Sequence, residues 1–395
     1  MTFTYIHSDN ARESINLELP YEKSDGFKRI KSTNKLLFIK EFFPAYKQSQ
    51  SLVLFDQNHK QLTEFYEKND INTLVQKTKI EKDTRLLFFT SGSSGFPVGA
   101  FKTVQNLKEE VSVLKELVLQ KSIKKVVVTV PFVHIYGVLA GLLLPLALGD
   151  VELVVKEDFL PYELLGELEE GKTLVVTTPV FIKALGKLSE KVDLSSNLFI
   201  SSTGPLALED IESFDSLYNA SLMQLFGSTE TGGIAYKMGK SIKWKPLQNV
   251  EVKSQDERLS VCSPYISKFI LDGTIKELGT PFVTEDIVEI NKDGFSLLGR
   301  SNKLIKIAGK RISALTIESL LEKIDGVERA VVTLVYKKEL LRSEQILITL
   351  QATKEFKKSF LKDKISECYG VLTIPFKVVY VEEIRLSSMG KKVLF

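Results

Sequence analysis

The sequence predicts a large layered α/β domain carrying a β-rich subdomain, followed by a small C-terminal α+β domain. Three observations predict it. Short apolar runs alternate with amphipathic segments from residue 84 to about 230, the pattern of a mostly parallel sheet covered by helices. From about 234 to 299 short strands dominate, with turns at Asp272–Gly273 and Asp293–Gly294. After Arg300 the pattern becomes a helix near 315–324, strands near 329–336 and 345–351, a helix near 355–368 and a strand near 376–381. The expected domains are therefore residues 1–299 and 300–395.

The runs expected as buried strands are Leu87–Thr90, Val126–Val130, Val151–Val155, Thr173–Thr177, Leu198–Ser201 and Leu222–Leu225. Between them, residues 106–119 place Leu107, Val111, Leu114 and Val118 on one helical face. Further helices are expected over 179–187 and 206–214. Residues 1–83 are mixed and polar and show no legible chemistry.

The bulk numbers agree with two domains: 395 residues at 44% apolar content exceed one ordinary core. A net charge of +3 gives no field for nucleic acid. The charge is unevenly placed, however. Residues 300–395 hold 19 Lys and Arg against 11 Asp and Glu, so a basic C-terminal module faces a net acidic remainder. Cys262 and Cys368 lack metal-ligand spacing and are expected to be buried thiols in a reducing compartment. His7, His59 and His134 form no metal motif. The N-terminus lacks the build of a signal peptide. Residues 126–149 approach the length of a membrane span, yet Pro131, His134, Pro145 and three glycines interrupt them. A buried strand, loop and helix is the expectation, in a cytoplasmic protein with no membrane span.

Two segments carry most of the chemical signal. Thr90, Ser91, Gly92, Ser93, Ser94 and Gly95 open a Gly/Ser loop ending at Gly99, directly after an apolar strand. Glycines let main-chain N–H groups approach phosphate oxygens, and the hydroxyls add donors. No Gly-Lys-Ser/Thr follows, so this is not a P-loop. Composition alone also fits a flexible surface loop. The second segment runs from Leu225 through Phe226, Gly227, Ser228, Thr229 and Glu230 to Gly233, again with a strand leading into small residues. A lone acid there suits Mg²⁺ already bound to phosphates, which needs one or two carboxylates. Phe226 offers an aromatic face for a base. Three weaker signals follow: Thr284-Glu285-Asp286 with Gly299-Arg300, the run Ile305–Ile312, and Met389-Gly390-Lys391. Asp286 suits ribose hydroxyls, and Arg300 a sugar or phosphate.

The order of these blocks (TSGSSGFPVG, PFVHIYG, SSTGPL, FGSTETGG, TEDI, DGFSLLGR, IKIAGKRI and the terminal GK) resembles the adenylate-forming superfamily of acyl-CoA synthetases, aryl-acid ligases and adenylation domains. The resemblance covers about Leu87 to Lys391. The stretches HIYGVLAGLLLPLALG and Trp244–Glu251 look closest to small bacterial acyl- or aryl-acid:carrier-protein ligases. The resemblance implies ATP-dependent activation of a small carboxylic acid, with Mg²⁺, and transfer to CoA or an acidic acyl carrier protein. It implies that the Thr90–Gly99 loop holds the β- and γ-phosphates, that Phe226 stacks on adenine, and that Glu230 binds Mg²⁺. It implies that Asp286 binds ribose and that Lys391 contacts the acid's carboxylate and the α-phosphate. Asn302 matches a hinge, and Gly309 a thiol tunnel opened when the small domain swings. His134, Tyr136, Thr203, Gly204 and Leu225 are expected to line an apolar or aromatic acid pocket; for Tyr136, simple helix packing is an equal alternative. No aspartate lies near His134, which disfavours an amino acid.

The chain departs from the pattern in three places. Val98 stands where the loop usually has lysine, and Lys102 is the candidate to supply that charge. Only 89 residues precede the loop, so part of the N-terminal subdomain is expected to be pared down. Lys391 lies four residues from the last residue of the sequence. The rival expectation is a degenerate paralogue that binds nucleotide or an acyl group without catalysis.

Overall fold

Six strands pair in parallel at the centre of a nine-stranded sheet, in the spatial order Ser221–Ser228, Leu198–Ser201, Thr173–Thr177, Lys125–Val128, Glu152–Lys156 and Thr2–Ile6. Antiparallel strands Gly232–Met238 and Lys245–Pro246 extend one edge, and Arg12–Ser14 closes the other. Strands covered on both faces read as continuous apolar runs, which is why these segments lack alternation. Val127, Val154, Val175 and Phe199 are fully buried, packed with Ile182, Leu185, Phe214 and Tyr218 from the covering helices. The expected strands Thr173–Thr177 and Leu198–Ser201 appear with those bounds. The strand expected at Leu222–Leu225 runs on to Ser228, because a partner strand returns beside it.

The computed structural model describes all residues except 33, 57–59, 91–97, 301–303, 308–309, 337–343, 370–374, 387–389, 391 and 394–395. It divides into two units: Met1–Val252 with Val261–Phe282, and Lys253–Ser260 with Val283–Phe395. The dividing line falls at Phe282/Val283, not at Arg300, because the hairpin Phe282–Asn291/Gly294–Arg300 pairs into a four-stranded sheet with Arg258–Cys262 and Glu251–Gln255.

The first unit also holds a six-stranded sheet, ordered Thr274–Glu277, Phe269–Asp272, Val98–Thr103, Thr84–Thr90, Ser51–Leu54 and Phe27–Arg29. Residues 1–83, silent in the sequence, thus supply strands to both sheets. They also supply the helix Lys35–Lys47, whose Phe38, Phe42 and Phe43 are buried. The helix Val104–Leu119 starts at a reciprocal cap: Thr103 Oγ1 accepts from Asn106 N, and Asn106 Oδ1 accepts from Thr103 N, both at 3.0 Å. The segment after Lys125–Val128 is a loop followed by a short helix Ile135–Val138 and a helical run to Leu148 that is buried as far as Pro145. Among the described residues no helix is long and apolar enough to cross a membrane.

The second unit shows period-two burial along the start of one strand, after which Thr349 is buried as well. Ile346, Ile348 and Leu350 of the strand Glu344–Ala352 are buried, and they pack on Ile317 and Leu321 of one helix and Leu361 and Ile365 of another. The expected order of helix, two strands, helix and strand is met at Ala314–Leu321, Val327–Tyr336, Glu344–Ala352, Lys358–Tyr369 and Phe376–Tyr380. The cysteine expectation fails: Cys262 and Cys368 are both free and exposed. Cys262 ends a strand whose buried run is Leu259–Val261, and Cys368 sits in the last turn of a helix that buries Leu361 and Ile365.

Candidate active site

The parallel strands of the nine-stranded sheet all deliver their C-terminal ends to one edge, where open α/β sheets bind ligands. Three candidate segments lie there: His134 after Lys125–Val128, Thr203–Gly204 after Leu198–Ser201, and Leu225 to Glu230 at the end of Ser221–Ser228.

The Glu230 segment is a tight hairpin turn. A register shift between Phe226 and Gly227 precedes it. Ser228 and Thr231 then lock it: Ser228 N donates to Thr231 Oγ1 at 3.1 Å, and Thr231 N donates to Ser228 Oγ at 3.1 Å. Gly232 has φ +70°, in the left-handed region. A Cβ on Gly227 would lie 2.2 Å from the Gly232 carbonyl oxygen, so only glycine fits there. Glu230 sits half-buried at the apex, its carbonyl accepting Ser267 N at 2.8 Å.

Phe226 is half-buried and packs against Trp244, centroids 5.4 Å apart at 50°. Lys237 Nζ lies 4.9 Å from the Trp244 ring centre, and burial holds that ammonium below its usual pKa. Trp244 opens the stretch Trp244–Glu251 that carries the finer resemblance, but its place beside Phe226 was not foreseen.

Lys102 is not where the missing loop charge was expected. It is 1% exposed and donates to the carbonyls of Tyr265 (2.6 Å) and Glu230 (3.1 Å). Its position in the strand Val98–Thr103 turns it inward, toward Glu110 of the following helix. Glu110 is buried and accepts Gly233 N at 2.7 Å. Burial pushes the Lys102 ammonium down and the Glu110 carboxyl up, each opposed by the other's charge. Glu110 was also missed, although a signal existed: it lies three residues after Leu107 and four before Leu114, on the apolar helix face.

Of the expected acid-pocket residues, His134 is half-buried at the start of Ile135–Val138. Thr203 holds φ +82°, a strained conformation for a β-branched residue that persists where structure over-determines it. Ser202 Oγ donates to the Leu225 carbonyl at 3.0 Å, drawing the Thr203 loop to Leu225. The structure thus brings Thr203, Gly204 and Leu225 together. Tyr136 is a correction. It is 8% exposed, and its hydroxyl lies 2.7 Å from the Ile200 carbonyl and 3.1 Å from that of Thr177. Burial pushes the phenol far up. It is a core tie between helix and sheet, because the turn of the helix that presents it faces the strands. Tyr136→Phe is therefore expected to cost about 1 kcal/mol in chemical denaturation. Acid preference should stay as in wild type; a changed preference would return the hydroxyl to the pocket.

In the second unit, Asp286 and Arg300 are cross-strand partners of the hairpin Phe282–Asn291/Gly294–Arg300. Arg300 Nε lies 3.6 Å from Asp286 Oδ1. Burial raises the Asp286 carboxyl, with Arg300 opposing. Thr90 ends the strand Thr84–Thr90 and is in register with Val98, so residues 91–97 connect two paired strands. Ser91, Gly92, Ser93, Ser94, Gly95, Asn302, Gly309 and Lys391 lie outside the described residues.

Among the described residues no group of three or more His, Cys, Asp or Glu could hold a metal ion. A lone carboxylate at a turn, as at Glu230, is the donor set of an ion that also takes phosphate oxygens, so the residues present fit Mg²⁺ carried in with a nucleotide.

Comparison with known proteins gives this geometry a context. The family described as AMP-binding enzyme matches residues 29–264. The 4-coumarate–CoA ligase of Cereibacter sphaeroides is 25% identical over a match covering 63% of this chain and 56% of that protein. The peroxisomal OPC-8:0-CoA ligase 1 of Arabidopsis thaliana is 22% identical, covering 92% of this chain and 75% of its own. O-succinylbenzoate coenzyme A synthetase (MenE) of Bacillus subtilis, in complex with AMP, shares the fold with a TM-score of 0.70 at 18% identity, over 93% of this chain and 86% of that one.

Proposed function

The chain belongs to the AMP-binding enzyme family, and from that premise we propose that it activates a small carboxylic acid with ATP and passes the acyl group to a phosphopantetheine thiol in the cytoplasm. In the first step a carboxylate oxygen of the acid attacks the α-phosphorus. The bond to the β-phosphate oxygen breaks, pyrophosphate leaves, and acyl-AMP remains. In the second step a thiolate of CoA or an acyl carrier protein attacks the acyl carbon and expels AMP. The observation that carries this reading is the locked Glu230 turn beside Phe226, at the ligand-binding edge of the sheet.

The acid is ionised at neutral pH, so the first step needs no general base. It needs cations where negative charge gathers. Glu230 would hold Mg²⁺ on the phosphates, where the ion would supply positive charge against that of the pyrophosphate. Lys391 contacts the attacking carboxylate and the α-phosphate. The Thr90–Gly95 loop grips the β- and γ-phosphates through amides and hydroxyls. Phe226 takes the adenine, Asp286 the ribose and Arg300 the sugar or phosphate. Thr203, Gly204, Leu225 and His134 bound the acid. Asn302 is the hinge and Gly309 lines the thiol path. The excess of Lys and Arg after residue 300 favours an acidic carrier protein over free CoA.

Acid-dependent ATP–pyrophosphate exchange across aryl and fatty acids tests the reading, and exchange with at least one acid is expected. Trp244, the sole tryptophan, supplies an independent probe. Nucleotide stacked on Phe226 is expected to change its fluorescence saturably. A fluorescence change without exchange from any acid would favour the non-catalytic paralogue, which the missing lysine at Val98 would suit.

A further inference from the structure

No step above uses the buried charges behind the Glu230 turn. Lys102 and Glu110 come from the strand Val98–Thr103 and the helix Val104–Leu119, yet they hold opposite ends of that turn. Lys102 Nζ donates to the Glu230 carbonyl at 3.1 Å, and Glu110 Oε1 accepts from Gly233 N at 2.7 Å. Lys102 also donates to Tyr265 O at 2.6 Å, and the same segment returns Ser267 N to the Glu230 carbonyl. The Glu110 carboxylate fills the space that two glycines leave: a Cβ on Gly232 would lie 2.5 Å from Oε2, and one on Gly233 3.0 Å from Oε1.

Burying two charges is a costly way to fill a core, and apolar side chains of similar volume often serve as well. What apolar side chains cannot do is hold the carbonyl of Glu230 and the amide of Gly233. Lys102 has a second reach. Its strand begins at Val98, in register with Thr90, so it continues directly from the connection that is read as the phosphate loop. One ammonium therefore joins the strand leaving the phosphate loop to the turn bearing the metal-binding acid, although the two belong to different sheets.

We infer that Lys102 and Glu110 are positioning residues that fix the Glu230 turn for magnesium–nucleotide binding and tie it to the strand Val98–Thr103. The inference rests on the ligase reading of Glu230.

The test is the double variant Lys102→Met/Glu110→Gln. It removes both charges, keeps side-chain length, and leaves the glutamine oxygen able to accept Gly233 N–H. Nothing then grips the Glu230 carbonyl from the strand. With ATP held constant, Mg²⁺ is titrated while Trp244 fluorescence reports binding. The concentration for half-saturation is expected to rise about tenfold or more, as for lost support behind a metal ligand. At saturating Mg²⁺, exchange turnover should recover most of its wild-type value. A folded double variant with wild-type Mg²⁺ dependence would overturn the inference. Should the variant fail to fold, amide hydrogen exchange of the wild-type protein decides. The amides of Thr231 and Gly233 are expected to be protected like those of the core strand Leu198–Ser201 before any ligand is added. Exchange at the rate of an ordinary exposed turn would sink the idea. Wild-type protein with no Mg²⁺-dependent nucleotide signal would remove the ligase reading, and this inference with it. Normal wild-type binding beside an unchanged double variant would remove the positioning role alone.

Discussion

Lys391→Ala is expected to lower acid-dependent ATP–pyrophosphate exchange by about 10²–10³-fold, the usual effect of removing a group that meets transition-state charge. Thermal unfolding should be nearly unchanged. The two expectations separate because the neighbouring residue holds the chain. Lys392 Nζ lies 2.6 Å from Glu322 Oε1 and 3.1 Å from Glu318 Oε2, and it donates to the Ala330 carbonyl at 2.9 Å. Glu318 is buried and also accepts Val332 N, so this anchor reaches the core of the second unit. The short strand Lys392–Val393 pairs with Arg385–Leu386 besides. The chain is therefore tied down one residue past Lys391. Exchange retained at the wild-type rate in Lys391→Ala would mean that the C-terminal assignment is mistaken.

Gly227→Ala is expected to damage both activity and stability severely for a single added methyl group. Its Cβ would meet the Gly232 carbonyl oxygen at 2.2 Å and the Gly232 carbon and Gly233 Cα at 3.0 Å, all main-chain atoms. No rotamer change relieves such a contact, so the turn itself must move. A displacement approaching an ångström at a reacting site costs about 10²-fold in rate. The overpacking itself costs about 1–3 kcal/mol in stability. Gly279→Ala is the control, since its Cβ would meet nothing within 4 Å and its φ is ordinary. Exchange assays and melting curves on the two variants check this. Gly227→Ala within twofold of wild type in turnover would mean that the turn tolerates movement and does not carry the metal.

The sequence was most legible where burial was uniform. Thr173–Thr177 and Leu198–Ser201 are covered on both faces, so an apolar run between turns marks the whole strand. The second unit was legible for another reason, because its helices and strands are separated by clear turn and charge signals around the apolar run Ile346–Leu350. Elsewhere the deciding partner lay far along the chain. Strand Ser221–Ser228 outran its apolar stretch because pairing with Gly232–Met238, not composition, extends it. Tyr136 reads equally well as pocket or core until Thr177 and Ile200 are placed beside it. Lys102 read as a substitute for the missing loop charge because its true partners, the Glu230 and Tyr265 carbonyls, lie far along the chain. The site motifs were legible through spacing, whereas the buried charges that support one of them were not, since support comes from other elements.

The strand Thr2–Ile6 has a consequence for how the chain is made. Its parallel neighbour is Glu152–Lys156, with Thr2 opposite Glu152. At translation rates of roughly 5–20 residues per second, that neighbour emerges on the order of 10–30 seconds after the strand does. Until then the strand has only the hairpin with Arg12–Ser14, and an isolated two-stranded hairpin is marginal in water. Phe3, Tyr5 and Ile6, all buried in the finished sheet, are therefore exposed on the ribosome for that interval. Of the strands in its sheet, Thr2–Ile6 waits longest along the chain for both neighbours, and its apolar residues are ones a nascent-chain chaperone would meet in that interval.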